Sequence, residues 1–127
     1  MRDGIALFVS VPVASFRVPR AREYFETLPC PPPSTVYGML LSLVGETNRH
    51  AHEGAEVAIA LVSQPEYSVV LRTVWRVKNR KQGLGQGMNK RPDLQALLTG
   101  VHLVVWLRPG RGETAPTLHE RVRKVLA

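Results

Sequence analysis

The sequence predicts an α+β fold, and three observations carry that prediction. Segments 4–13 and 67–78 alternate side chains with period two, as half-buried strands do. Two shorter runs, 56–63 and 101–108, are almost wholly apolar. Elsewhere leucine and valine recur at three- and four-residue spacing, the mark of amphipathic helices. With 127 residues, 44% of them hydrophobic, the chain suits one compact domain.

The elements follow in order. In "GIALFVSVPV", Ile5, Leu7, Val9 and Val11 share one face, with Ala6, Phe8 and Ser10 on the other. Residues 12–33 carry six prolines and three arginines without any period, a long connection of the kind that is usually functional. Proline disfavours helical geometry in the residue before it, so "PCPPPS" delays helix entry until Ser34, a suitable N-cap. Val36, Met39, Leu40, Leu43 and Val44 then form an apolar stripe that Gly45 can close. Thr35, Gly38, Ser42 and Gly45 make a second stripe of small residues, open either to the domain's own sheet or to an outside partner.

"EVAIALVS" (56–63) predicts a central strand. In 67–78, Tyr67, Val69, Leu71, Thr73, Trp75 and Val77 face one way, with core packing expected for Trp75; the other face turns basic at Arg72, Arg76 and Lys78. "NRKQGLGQGMNKR" is a glycine-punctuated tip. Arg91-Pro92-Asp93 opens a short helix through Leu94, Leu97 and Leu98, closed by Gly100, and 101–108 is the last strand. The order strand, helix, strand, strand, helix, strand is the ferredoxin-like arrangement. A final helix in "TLHERVRKVLA" places Leu118, Val122, Val125 and Leu126 together; lacking a stop signal, the chain reads as cut short at Ala127. The expected organisation is a domain over 1–110, with a projecting hairpin at about 70–91, and the start of a further segment over 111–127.

Charge points to a polyanionic partner. Seventeen Lys and Arg against ten Asp and Glu give +7 and a pI near 10.3. Arg72, Arg76, Lys78, Arg80, Lys81, Lys90 and Arg91 fall in one stretch without an acid. The lone Cys30 excludes an internal disulfide and a cysteine-built zinc site, which fits a reducing cytoplasm. No run approaches ~18 apolar residues, so no membrane span or membrane partner is expected.

Site chemistry narrows by elimination. Gly83, Gly85 and Gly87 lack the strand and helix context of a dinucleotide loop and the G-K-[ST] of a phosphate loop. His50 and His52 have no third ligand at suitable spacing, so neither a metal nor another cofactor is expected. Tyr37, His50, Lys78 and Lys81 are the residues from which a metal-independent ribonuclease would have to be assembled, and the sequence does not unite them. Binding of single-stranded RNA remains. "SFRVPRAREYF" interleaves Phe16, Tyr24 and Phe25 with Arg17, Arg20 and Arg22, and the helix entry at Ser34 and Thr35 offers backbone N–H groups to a phosphate.

The stretch "ALFVSVPVASFRVPRAREYFETLPCPPPSTVYGMLLSLVGE", with "VVLRTVWRVK" and "NKRPDLQALLTGVHLVVWL", resembles the CRISPR-associated RAMP proteins of the Cas-five family. The likeness is to subtype I-B and its transposon-adopted relatives, and it extends over nearly the whole chain. It implies a ferredoxin-like, RRM-related domain with a β-hairpin thumb, in a non-catalytic subunit of the type I complex Cascade that holds the 5′ handle of the guide RNA. Implied partners are the guide RNA, the backbone RAMP subunit, the large PAM-reading subunit and, through the complex, target DNA. Recruitment of a nuclease-helicase or of transposition proteins stays open. By position, the resemblance makes RNA contacts of Arg17 and the loop behind it, Ser34 with Thr35, and the thumb residues Arg72, Arg76, Lys78, Arg80, Lys81, Asn89, Lys90 and Arg91. The alternative it carries is an endoribonuclease that trims precursor guide RNA; no catalytic residue transfers.

Overall fold

The computed structural model describes residues 4–22 and 24–127. Its organising element is a 19-residue strand, β5 (Lys90–Arg108), to which every other strand is hydrogen-bonded. Along one edge of β5 run β1 (Ile5–Ala14), antiparallel, and the two-residue β2 (Tyr24–Phe25), parallel. Along the other run β3 (Glu56–Leu61) and then β4 (Glu66–Trp75), both antiparallel. Helices α1 (Pro33–Leu43) and α2 (Leu118–Leu126) complete the α+β, ferredoxin-like fold.

The predicted alternation of β1 holds. Ile5, Leu7, Val9 and Val11 turn inward opposite Leu107, Val105, Leu103 and Val101, while Phe8 is exposed. The same β5 residues meet Val57, Ile59 and Leu61 of β3. Onto this face α1 packs Val36, Leu40 and Leu41, and α2 packs Leu118 and Val122. Each such side chain, fully buried, contributes about 1.5–3 kcal/mol. At the end of α2, Val125 and Leu126 remain exposed.

Four expectations need correction. Residues 91–100 are strand, not helix: Lys90 to Thr99 pair in register with Trp75 to Glu66. The helix-like spacing of Leu94, Leu97 and Leu98 arises because the buried face changes along β5. Leu98 and Val101 are both buried although three residues apart, with Gly100 between them at φ +69. That left-handed conformation favours glycine, and β1 keeps its register past this point, so Gly100 marks a change of the strand's facing and closes no helix. Pairing across the sheet outweighs the local preference of leucine, glutamine and alanine. Second, β3 is an edge strand, with Ala58 and Ala60 exposed; β5 is the central one.

Third, α1 begins two residues early, with Pro32 as N-cap in place of Ser34, Pro33 in its first turn and no side-chain cap; Ser34 already lies inside the helix. Proline's fixed φ suits that first position. The predicted stop at Gly45 is present as a Schellman closure, with Glu46 N–H donating to Leu41 O (2.9 Å) and Gly45 N–H to Ser42 O (3.1 Å). Fourth, Trp75 is 67% exposed and packs on the thumb tip, not in the core. Of the two readings of the small-residue stripe, packing on the sheet fails: Gly38 is exposed, and nothing stands within 4 Å of where its Cβ would be.

Candidate nucleic-acid interface

The thumb is built by β4 and the first half of β5. Most β4 side chains are exposed on both faces of the ribbon, Leu71 at 73%. Sequence alternation explains its shape: the strand lacks the continuous apolar run that a central position demands, and its basic face needs water.

Its tip, residues 76–89, is folded around Asn89. The Asn89 Oδ1 accepts the N–H groups of Lys78 and Asn79 (2.8 Å each), and Nδ2 donates to the carbonyls of Asn79 and Gln82 (2.8 Å each) and Gly83 (3.2 Å). The residue is 1% exposed. With its donors and acceptor engaged inside the loop, the Asn89 side chain shapes the tip. Trp75 closes the same loop against Gly85, whose φ is +70 and whose Cβ would fall 2.6 Å from Trp75 Cε2. Lys78, Arg80, Lys81 and Lys90 are exposed around this frame and form no ion pair among the described residues. Arg76 is half-buried and donates from Nε to Met88 O (3.4 Å).

The proline-rich connection folds back on the thumb's base. Phe16 and Leu28 pair across it, with Leu28 N–H donating to Phe16 O (2.7 Å), and Phe16 N–H donates to Thr27 Oγ1 (2.8 Å). Gln95 of β5 holds the excursion in place, its Nε2 donating to Ser15 Oγ (2.7 Å) and Phe25 O (3.3 Å). The hydroxyls of Tyr24 and Tyr67 meet at 2.5 Å, and that bond pushes the Tyr67 phenol above its usual range.

Arginines from both segments converge on Phe25. The guanidinium carbon of Arg17 lies 4.7 Å, and that of Arg72 5.2 Å, from the ring centroid. Arg17 Nη2 donates to Ala21 O (3.1 Å), and Arg72 is held by Asp93, its Nε donating to Oδ1 at 2.6 Å. The carboxylate keeps the Arg72 guanidinium charged, pushing its pKa up further. Arg17, Ala21, Arg22, Phe25 and Arg91 line a cleft of about 600 Å³. Arg91 is half-buried, and its Nε has no hydrogen-bond partner among the described residues.

The other candidates lie elsewhere. Arg20 is exposed beside Arg22 in a neighbouring shallow cleft. Ser34 and Thr35 border a different groove, with Gly38, Ser42 and Arg49. Their helix end is a poor anion site, because Pro33 has no N–H and those of Thr35 and Val36 already donate to Pro32 O (2.9 and 3.3 Å). Tyr37 donates to Arg49 O (2.9 Å) and His50 pairs with Glu53, whereas Lys78 and Lys81 belong to the thumb tip. His52 is buried between Glu113 (3.0 Å) and Arg121 (2.9 Å) as part of the packing of α2. Among the described residues, no three His, Cys, Asp or Glu side chains are grouped to hold a metal. The sequence reading missed the partnership of Asp93 with Arg72, which cross-strand alternation exposes once 90–99 is a strand, and it did not single out Phe25 as a centre.

The fold is an α+β, ferredoxin-like domain that carries a cationic ribbon and an arginine-lined cleft at the ribbon's base. The family described as "CRISPR-associated protein (Cas_Cas5)" matches residues 4–105, and the chain belongs to that family. It is 47% identical over 126 residues to the CRISPR-associated protein Cas5 of Myxococcus xanthus (strain DK1622), covering 96% of this chain and 58% of that protein. A chain of a solved CRISPR RNA-guided surveillance complex shares the fold with a TM-score of 0.65 at 14% identity, over 84% of this chain and 48% of that one. The chain thus spans about half the length of the relatives it matches.

Proposed function

We propose that this chain is a non-catalytic, RNA-holding subunit of a type I CRISPR surveillance complex in the cytoplasm. It grips the 5′ handle of the guide RNA between the 15–28 excursion and the thumb, beside the backbone and large subunits through which the complex meets target DNA. One observation carries this reading: arginines far apart in sequence, Arg17 and Arg22 on one side and Arg72 and Arg91 on the other, converge on Phe25 at the foot of a ribbon lined with exposed cations. Family membership supports it.

The test is binding of a repeat-derived 5′ tag RNA across a salt series. Affinity should fall steeply with salt, and replacing Arg76, Lys78 and Arg80 by alanine should flatten the dependence, by about 0.7 in log–log slope for each phosphate left without its cation. Affinity indifferent to salt, or equal affinity for an unrelated RNA in the assembled complex, contradicts the reading. Labelled tag or precursor RNA incubated with the protein in EDTA should stay intact; a discrete product would make the subunit a nuclease.

A further inference from the structure

The cleft at the thumb's base differs from the rest of the basic surface. Lys78, Arg80, Lys81 and Lys90 are exposed cations on a projecting loop, suited to diffuse attraction. In the cleft, three guanidiniums, those of Arg17, Arg22 and Arg91, line about 600 Å³, and among the described residues the lining holds no acid. Asp93, a nearby carboxylate, is already engaged by Arg72. Cations gathered around one cleft repel one another unless an anion sits among them. That arrangement asks for an anion with several acceptor oxygens.

Pre-organisation points the same way. Arg17 is fixed at one end by Ala21 O and stacked over Phe25, and Arg72 is locked by Asp93 over the same ring. Two guanidiniums already pack over Phe25, so the ring holds cations and leaves little room for a stacked base. Planar guanidinium forks match tetrahedral phosphate oxygens in a way that lysine ammoniums do not.

Building on the RNA-holding reading, we propose that the Arg17–Arg22–Arg91 cleft is a clamp for a single backbone phosphate of the bound RNA, indifferent to base identity. It pins the strand where it passes from the excursion onto the thumb, and the exposed thumb cations steer the rest.

A neutral-linkage scan tests this. Tag RNAs carrying one methylphosphonate at each linkage in turn are titrated against the full chain and against Arg17→Lys/Arg91→Lys, which conserves charge but removes the forks. One linkage should dominate, its neutralisation weakening wild-type binding by about tenfold, and that effect should vanish in the double variant. Arg22 is exposed, so Arg22→Lys leaves packing untouched and should by itself reduce the same linkage's effect. Similar small losses at every linkage, or a dominant linkage unaffected by the lysine variants, overturn the clamp while the RNA reading stands. A tag that does not bind at all removes both.

Discussion

Arg72 Nε donates to Asp93 Oδ1 at 2.6 Å, directly across the β4–β5 ladder. The carboxylate is fully buried while the arginine is 45% exposed, so the two residues are not equivalent. Arg72→Ala strands a buried carboxylate; Asp93→Ala frees a guanidinium that water can reach. The arginine variant should therefore unfold at the lower urea concentration. Their effects on RNA should diverge as well. Arg72→Ala weakens binding, whereas Asp93→Ala, one negative charge fewer beside the cleft, leaves it equal or tighter. Paired urea melts and RNA titrations check both orders.

Asn89 supplies the second prediction. Asn89→Ala leaves the Lys78 and Asn79 N–H groups and three carbonyls of a tight loop without their partner. An unsatisfied buried polar group costs about 1–3 kcal/mol, so the tip should open locally. Hydrogen exchange should show the Lys78 and Asn79 amides losing protection while β1 and the 101–108 end of β5 keep theirs. RNA affinity should fall with the opening.

Gly85→Ala tests the same loop from its other side. A left-handed φ costs a residue with a Cβ about 1–2 kcal/mol, and here the added carbon also runs into Trp75. The indole resonance of Trp75 should shift while that of Trp106 stays in place.

Acid should loosen the seat of α2. Glu46 accepts from Arg121 Nη1 at 2.7 Å, and that bond, with a second from the Asn48 N–H, holds its carboxyl below the usual range. A depressed carboxylate pKa contributes stability above the unfolded value, near 4.3, and loses it as pH falls through the lower folded value. Melting temperature followed from pH 7 down to 3 should show wild type above Glu46→Gln at neutral pH, the two curves converging at the acid end.

These residues also show how much the sequence disclosed. The inward set of β1, the Gly45 closure and the basic run of the thumb were legible because each depends on neighbours within a few positions. The segment 91–100 was not. Leu94, Leu97 and Leu98 imitate a helix face, and only pairing with residues more than twenty positions away makes them strand. The same error hid Asp93 opposite Arg72. Trp75 looked like core by alternation, but no partner sheet covers its face of the ribbon. The capping box of α2, Thr117 with Glu120, was present as T-x-x-E and passed over.

The most direct test is ultraviolet cross-linking of the assembled complex, with 4-thiouridine placed through the 5′ handle, followed by mapping of the attached peptides. The account predicts adducts in residues 15–28 and 72–91 of this chain. Adducts confined to other subunits, or to the face of this domain that carries α1 and α2, would contradict it.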